Sequence, residues 1–207
     1  IANIFLADHI ADVQNSSEYK KMIAASIFTN KLKRKLAGKY VGIDFGRYLT
    51  LEIKENQLVN ESPEYVFEPS PYSPIELINH ERDLSLRIQP ESIKSGKIAL
   101  ERISGAYGSY GSYQSFREIP LKEGEFSDYT GRYYSAELEN TCEITHKKAT
   151  LKIRISDMSS DLTQFEPDQF AANWAKITFI RNQGGAVTGF RLDRYGVQDI
   201  IFKKIDN

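Results

Sequence analysis

Two short patterns carry the residue types of covalent catalysis. Ser17-Glu-Tyr-Lys20 sets a hydroxyl one helical turn before an amine, and Lys94-Ser95-Gly96 precedes a predicted strand. Together they would be pieces of serine acyl-transfer machinery, with the lysine activating the serine and the second motif flanking the site. The spacing argues against that chemistry. Only 77 positions separate Ser17 from Lys94 (94 − 17), and no Ser-Asp-Asn or Tyr-x-Asn lies between them. A catalytic domain of that kind needs far more chain than this interval. Both patterns read as chance, and no catalytic residue is assigned.

The other reactive side chains are isolated. His9, His80 and His146 are scattered, with no ligand at metal spacing, so no metal or cofactor is expected. His146 falls in a predicted hairpin turn and reads as a solvated imidazole. Cys142 is the single cysteine, which rules out an intrachain disulfide and reads as a small buried or half-buried side chain. Lys31-Leu-Lys-Arg-Lys35 places four positive charges at a predicted helix end, where they complement the helix dipole on a solvated face. A net charge of -1 supplies no overall field for nucleic acid. No apolar run approaches the roughly 18 residues of a membrane span. The chain opens Ile1-Ala-Asn-Ile without a starting Met or a signal-peptide order, which reads as a processed chain or a piece of a longer one.

One stretch is suggestive of binding. Ser104–Ser115 repeats Gly every third residue, with Tyr107, Tyr110 and Tyr113 between. It is not a phosphate-cradling Gly-x-Gly-x-x-Gly. Tyrosine offers rigid amphipathic contact area while Gly and Ser adapt, so these three tyrosines are the candidate interaction loop at a long hairpin tip.

The elements around these residues are β. Twelve Tyr and eleven Phe lean that way. Leu49, Leu51 and Ile53 alternate with polar residues, as do Leu84, Leu86 and Ile88, and Leu151, Ile153 and Ile155. The pattern also recurs. Gly38-Lys-Tyr40 matches Gly131-Arg-Tyr133, and Glu52-Ile53 matches Glu143-Ile144, with Leu58 and Leu151 just past the turns. Ile98-Ala-Leu-Glu-Arg102 matches Ile177-Thr-Phe-Ile-Arg181, and Phe116-Arg-Glu-Ile119 matches Phe202-Lys-Lys-Ile205. This order gives two copies, 36–120 and 126–206, joined by Pro120–Glu125 and preceded by a helical lead-in over 1–35. Asn15-Ser-Ser-Glu18 caps the second helix of that lead-in. Copies of this length fill a closed barrel better than a two-layer sandwich, and closure removes exposed edges. The expected fold is mainly β: two tandem antiparallel barrels of about eight strands behind an N-terminal helical segment.

With the repeat in place, Asp128-Tyr-Thr-Gly-Arg-Tyr-Tyr134, Asp168-Gln-Phe170, Ile177-Thr-Phe-Ile-Arg-Asn182, Gly189-Phe-Arg-Leu192 and Phe202-Lys-Lys-Ile205 carry a resemblance. Leu162 and Phe165, ahead of Asp168, belong to it too. The chain resembles the C-terminal accessory region of β-lactamase-related serine hydrolases, the group of penicillin-binding-protein-like esterases and D-aminopeptidases. Copy two carries it well and copy one loosely, while Ala2-Asn-Ile-Phe-Leu-Ala7 is similar to the helical exit from the catalytic domain. The opening Gly-x-Tyr is also similar to the Gly-x-Trp of lipocalins, whose barrels hold small apolar ligands.

The resemblance implies lipocalin-like barrels beside a serine-hydrolase domain in cis, in the periplasm or outside the cell. There a barrel loop limits which substrates enter, and Gly105–Ser115 is the candidate. It transfers no catalytic serine, lysine or tyrosine to this chain. Two functions follow as expectations: a non-catalytic accessory module that shapes substrate access, or a free-standing barrel holding a small apolar ligand.

Overall fold

The computed structural model describes residues 28–43, 48–60, 65–70, 73, 75–104, 108–194 and 196–205. Most of the 1–35 lead-in, with Ser17, His9 and the Asn15–Glu18 cap, lies outside them. Among the described residues sixteen strands form two closed antiparallel barrels of eight, each ordered as in the chain. The chain divides into two compact units, each organised about one barrel.

Barrel one comprises β1 (Gly38–Gly42), β2 (Tyr48–Lys54), β3 (Gln57–Asn60), β4 (Tyr65–Pro69), β5 (Glu76–Asn79), β6 (Leu84–Ile88), β7 (Ala99–Ser104) and β8 (Gly108–Phe116). Helix α1 (Asn30–Leu36) precedes it and α2 (Pro90–Ser95) joins β6 to β7. Barrel two comprises β9 (Gly131–Ser135), β10 (Asn140–Lys147), β11 (Thr150–Ile155), β12 (Met158–Glu166), β13 (Gln169–Ala171), β14 (Lys176–Arg181), β15 (Val187–Arg194) and β16 (Val197–Ile205). A 3-10 turn (Glu123–Glu125) and α3 (Phe126–Tyr129) lead into it.

Alternation drives these strands. In β11 Leu151, Ile153 and Ile155 are buried while Lys152 and Arg154 are exposed, one face to the core and one to water. Tight turns connect neighbours. Glu55 and Asn56 both take positive φ (50° and 64°), the mirror-image turn whose twist matches a two-residue hairpin. Barrel two closes where β16 meets β9, with Lys203 opposite Tyr134 and Ile205 opposite Arg132.

The repeat is built into the backbone. Gly38 (φ 153°) and Gly131 (φ 137°) each open the first strand of a barrel in a conformation that favours glycine. Two residues on, the Tyr40 hydroxyl donates to the Leu36 carbonyl and the Tyr133 hydroxyl to the Tyr129 carbonyl, both at 2.6 Å. Each tyrosine therefore caps the last turn of the helix that feeds its barrel. Burial pushes both hydroxyls well above the usual tyrosine range. Tyr133→Phe strands a buried carbonyl without adding a clash, so a loss of about 1–2 kcal/mol is expected in urea unfolding.

Two of the sequence matches are corrected. Ile53 pairs with Leu58 on β3, and His146 pairs with Leu151 on β11. Leu51, not Ile53, is therefore the partner of Ile144 across the repeat, and Ile53 is 39% exposed. More seriously, Ile98–Arg102 leads into and runs along the seventh strand of its barrel, whereas Ile177–Arg181 lies on the sixth of the other. Every half-buried strand repeats with period two, so a five-residue match does not distinguish neighbouring strands. The Tyr-Gly-Ser stretch, expected as a long hairpin tip, is not one as a whole. Most of it is strand β8, paired with β7.

Candidate functional site

The residues singled out from sequence scatter. Lys94 and Ser95 end α2 and Gly96 is its C-cap, with Lys94 paired to Glu91 at 3.4 Å on the surface. His80 sits in an exposed turn. His146 is exposed near the end of β10, next to the hairpin turn as expected, with its ring stacked on Phe126 at 4.2 Å and an Nε2 contact to the Lys148 carbonyl. The basic residues Lys33, Arg34 and Lys35 do occupy the last turn of α1, and Lys33 Nζ donates to the Asn56 carbonyl at 2.6 Å. Among the described residues no group of three or more His, Cys, Asp or Glu is placed to hold a metal ion. No described helix is long and apolar enough to cross a membrane.

The interaction-loop tyrosines are not a surface set. Tyr113 is 1% exposed and pairs with Leu100 across β7 and β8, inside barrel one. It is core, which corrects its assignment as a contact residue. Tyr107 lies outside the described residues, as does the side chain of Tyr110 on β8.

Cys142 is fully buried, and burial pushes its thiol up to about 12. A protonated thiol without solvent access is a poor nucleophile. Native chain at pH 8 should resist iodoacetamide, and the same chain in urea should take one alkyl group per molecule.

Sequence reasoning missed the most connected polar cluster, at the α3 end of barrel two. Arg181, at the end of β14, donates from Nε to both Asp168 oxygens at 3.0 Å. Its Nη1 reaches Asp128 at 3.0 Å and the Gly185 carbonyl at 2.7 Å, and Nη2 reaches the Tyr129 hydroxyl at 3.1 Å. The guanidinium also lies over the Tyr129 ring, 5.3 Å from its centroid. Tyr129 completes the circuit by donating to Asp168 Oδ1 at 2.9 Å. From β16, two strands further round the barrel, Lys204 Nζ donates to the Asp128 carbonyl at 2.9 Å. Arg181 and Lys204 thus staple α3 across the barrel end.

Burial works to raise the Asp168 carboxyl, but hydrogen bonds from Arg181 and Tyr129 outweigh it and hold the group below the usual carboxylate range. Burial, and next the bond to Asp168, push the Tyr129 hydroxyl up to about 12. A permanently charged guanidinium, a low carboxylate and a protonated phenol bind each other. They leave no group poised to move a proton near neutral pH, so the arrangement holds structure together.

Beneath the staple, aromatic rings fill the interior. Phe179 contacts Tyr129, Phe170, Phe190 and Tyr133 at centroid distances of 4.7, 5.4, 5.7 and 6.3 Å. Phe190 stacks on Phe202 at 4.8 Å. The close approach of β15 to β16 needs Gly189, where a Cβ would sit 2.4 Å from the Phe202 carbonyl oxygen.

The comparisons with known proteins cover this barrel. Residues 117–204 match the family described as "Domain of unknown function (DUF3471)". No curated protein matches the chain.

Proposed function

We propose that this chain is a non-catalytic accessory module of a β-lactamase-like serine hydrolase, packing on the catalytic domain in cis and limiting which substrates reach it. The observation that carries the reading is the convergence at one barrel end of the motifs behind the resemblance. Asp128, Tyr129, Asp168 and Arg181 form a self-satisfied staple over a ring-filled interior. With that end closed and the interior packed, the outer surface is the part of this barrel left to meet a partner. The matched family spans that same barrel, 117–204. The resemblance places such modules in the periplasm or outside the cell, and that setting is part of the proposal.

The alternative, a free-standing barrel for a small apolar ligand, needs an interior with room. In barrel two the rings of Tyr129, Phe170, Phe179, Tyr133, Phe190 and Phe202 crowd against one another, which favours the accessory reading. An eight-stranded barrel is narrow enough for side chains alone to fill it.

The test uses the whole natural protein and a version lacking residues 36–207. Active sites are counted with a serine-directed fluorophosphonate or penicillin probe, and hydrolysis of a small and a bulky acyl substrate is compared per labelled site. The proposal expects the probe to spare this 207-residue chain and the deletion to raise the bulky-to-small rate ratio. Labelling within this chain, or an unchanged ratio, would sink it.

A further inference from the structure

The outer face of barrel two carries a polar groove that the staple and core do not use. One transverse row crosses three strands, with Arg132 on β9 opposite Glu143 on β10, and Glu143 opposite Arg154 on β11. With Asn140, Thr141 and Ser156 these residues line a groove of about 360 Å³. Its charges are unevenly engaged. Glu143 Oε2 accepts from Arg154 Nη2 at 2.6 Å, and Asn140 Nδ2 donates to the Ser156 hydroxyl at 2.8 Å. Arg132 is exposed, and among the described residues it has no ion-pair partner. Two guanidiniums against one carboxylate leave one planar donor fork and one positive charge facing solvent.

The surroundings limit what that fork can take. Tyr134 lies on the same face two residues along β9, opposite Thr141 and 39% exposed, so a ring borders the charge. Lys203 on β16, exposed and opposite Tyr134, adds a second positive charge on the same face, so an acidic segment meets Arg132 and Lys203 together. Carboxylate matches the guanidinium fork two-to-two, and the Thr141 and Ser156 hydroxyls and the Asn140 amide suit main-chain groups on either side of it. We infer that this groove binds an acidic peptide segment, with a Glu or Asp carboxylate on Arg132 and the neighbouring chain along Tyr134 and Thr141. Glu143 is a resident competitor that keeps Arg154 occupied. The inference stands whether or not a hydrolase domain is the partner, since the binding is read on this chain alone.

The experiment is an amide-resolved NMR titration of the whole 207-residue chain with an acetylated, amidated Ser-Glu-Ser tripeptide. Capped Ser-Gln-Ser and inorganic phosphate are the comparison probes. Saturable shifts are expected around residues 132, 134, 141, 143, 154 and 156 with the Glu peptide alone. Arg132→Gln should weaken binding about threefold or more, and Glu143→Gln should strengthen it about threefold by releasing Arg154, as expected of exposed ion pairs. The spectra themselves report whether each variant is folded. No shift with the Glu peptide, an equal response to the Gln peptide or to phosphate, or weaker binding in Glu143→Gln would overturn the assignment.

Discussion

Arg181→Ala is expected to destabilise barrel two by about 3 kcal/mol, read from the midpoint of urea unfolding. The side chain holds Asp168, Asp128, Tyr129 and the Gly185 carbonyl at once. Its removal leaves Asp168, only 29% exposed, with a single donor, the Tyr129 hydroxyl. Partial exposure of both partners keeps the figure at the low end of the range for broken buried pairs. Arg181→Lys should recover less than half, because an ammonium keeps the charge but not the planar fork.

The same cluster fixes a pH dependence. The folded Asp168 pKa lies below its unfolded value, so its contribution is fully present above the unfolded pKa and fades as pH falls through the folded one. The window is therefore acidic, below about pH 4. Asp168→Asn should flatten that arm of the stability profile, and an unchanged acid arm would remove Asp168 from the staple.

Phe179→Ala should cost about 4 kcal/mol. Phe179 is 5% exposed and is ringed by Tyr129, Tyr133, Phe170 and Phe190. These neighbours sit on strands tied by hydrogen-bonded ladders and on the stapled helix, so they cannot collapse into the space. A barrel with a roomy interior would tolerate the truncation better. A loss below about 2 kcal/mol would contradict the packed interior and reopen the ligand-binding reading.

The architecture was legible because it rests on local signals. Leu151, Ile153 and Ile155 announce their strand by alternation, and Gly-x-Tyr marks the start of each barrel because glycine takes a positive φ there and the tyrosine caps a helix. What failed was assignment among similar strands. Ile98–Arg102 and Ile177–Arg181 share a pattern that any half-buried strand can show, and they occupy different places in their barrels.

Composition misled at the Tyr-Gly-Ser stretch. Gly and Ser read as a loop, yet their small side chains are tolerated along β8 while Tyr113 turns inward against the β7 side. The staple was half visible. Asp128, Asp168 and Arg181 stood within quoted motifs, but Arg181 meets Asp168 across 13 residues and Asp128 across 53, and spacing alone does not pair them.

The most direct test of the accessory-module account is to read the coding sequence immediately ahead of Ile1. The account predicts an in-frame domain of serine-hydrolase type with a Ser-x-x-Lys on a helix and a Tyr-x-Asn downstream of it. A stop codon, or an unrelated domain lacking both motifs, would contradict it.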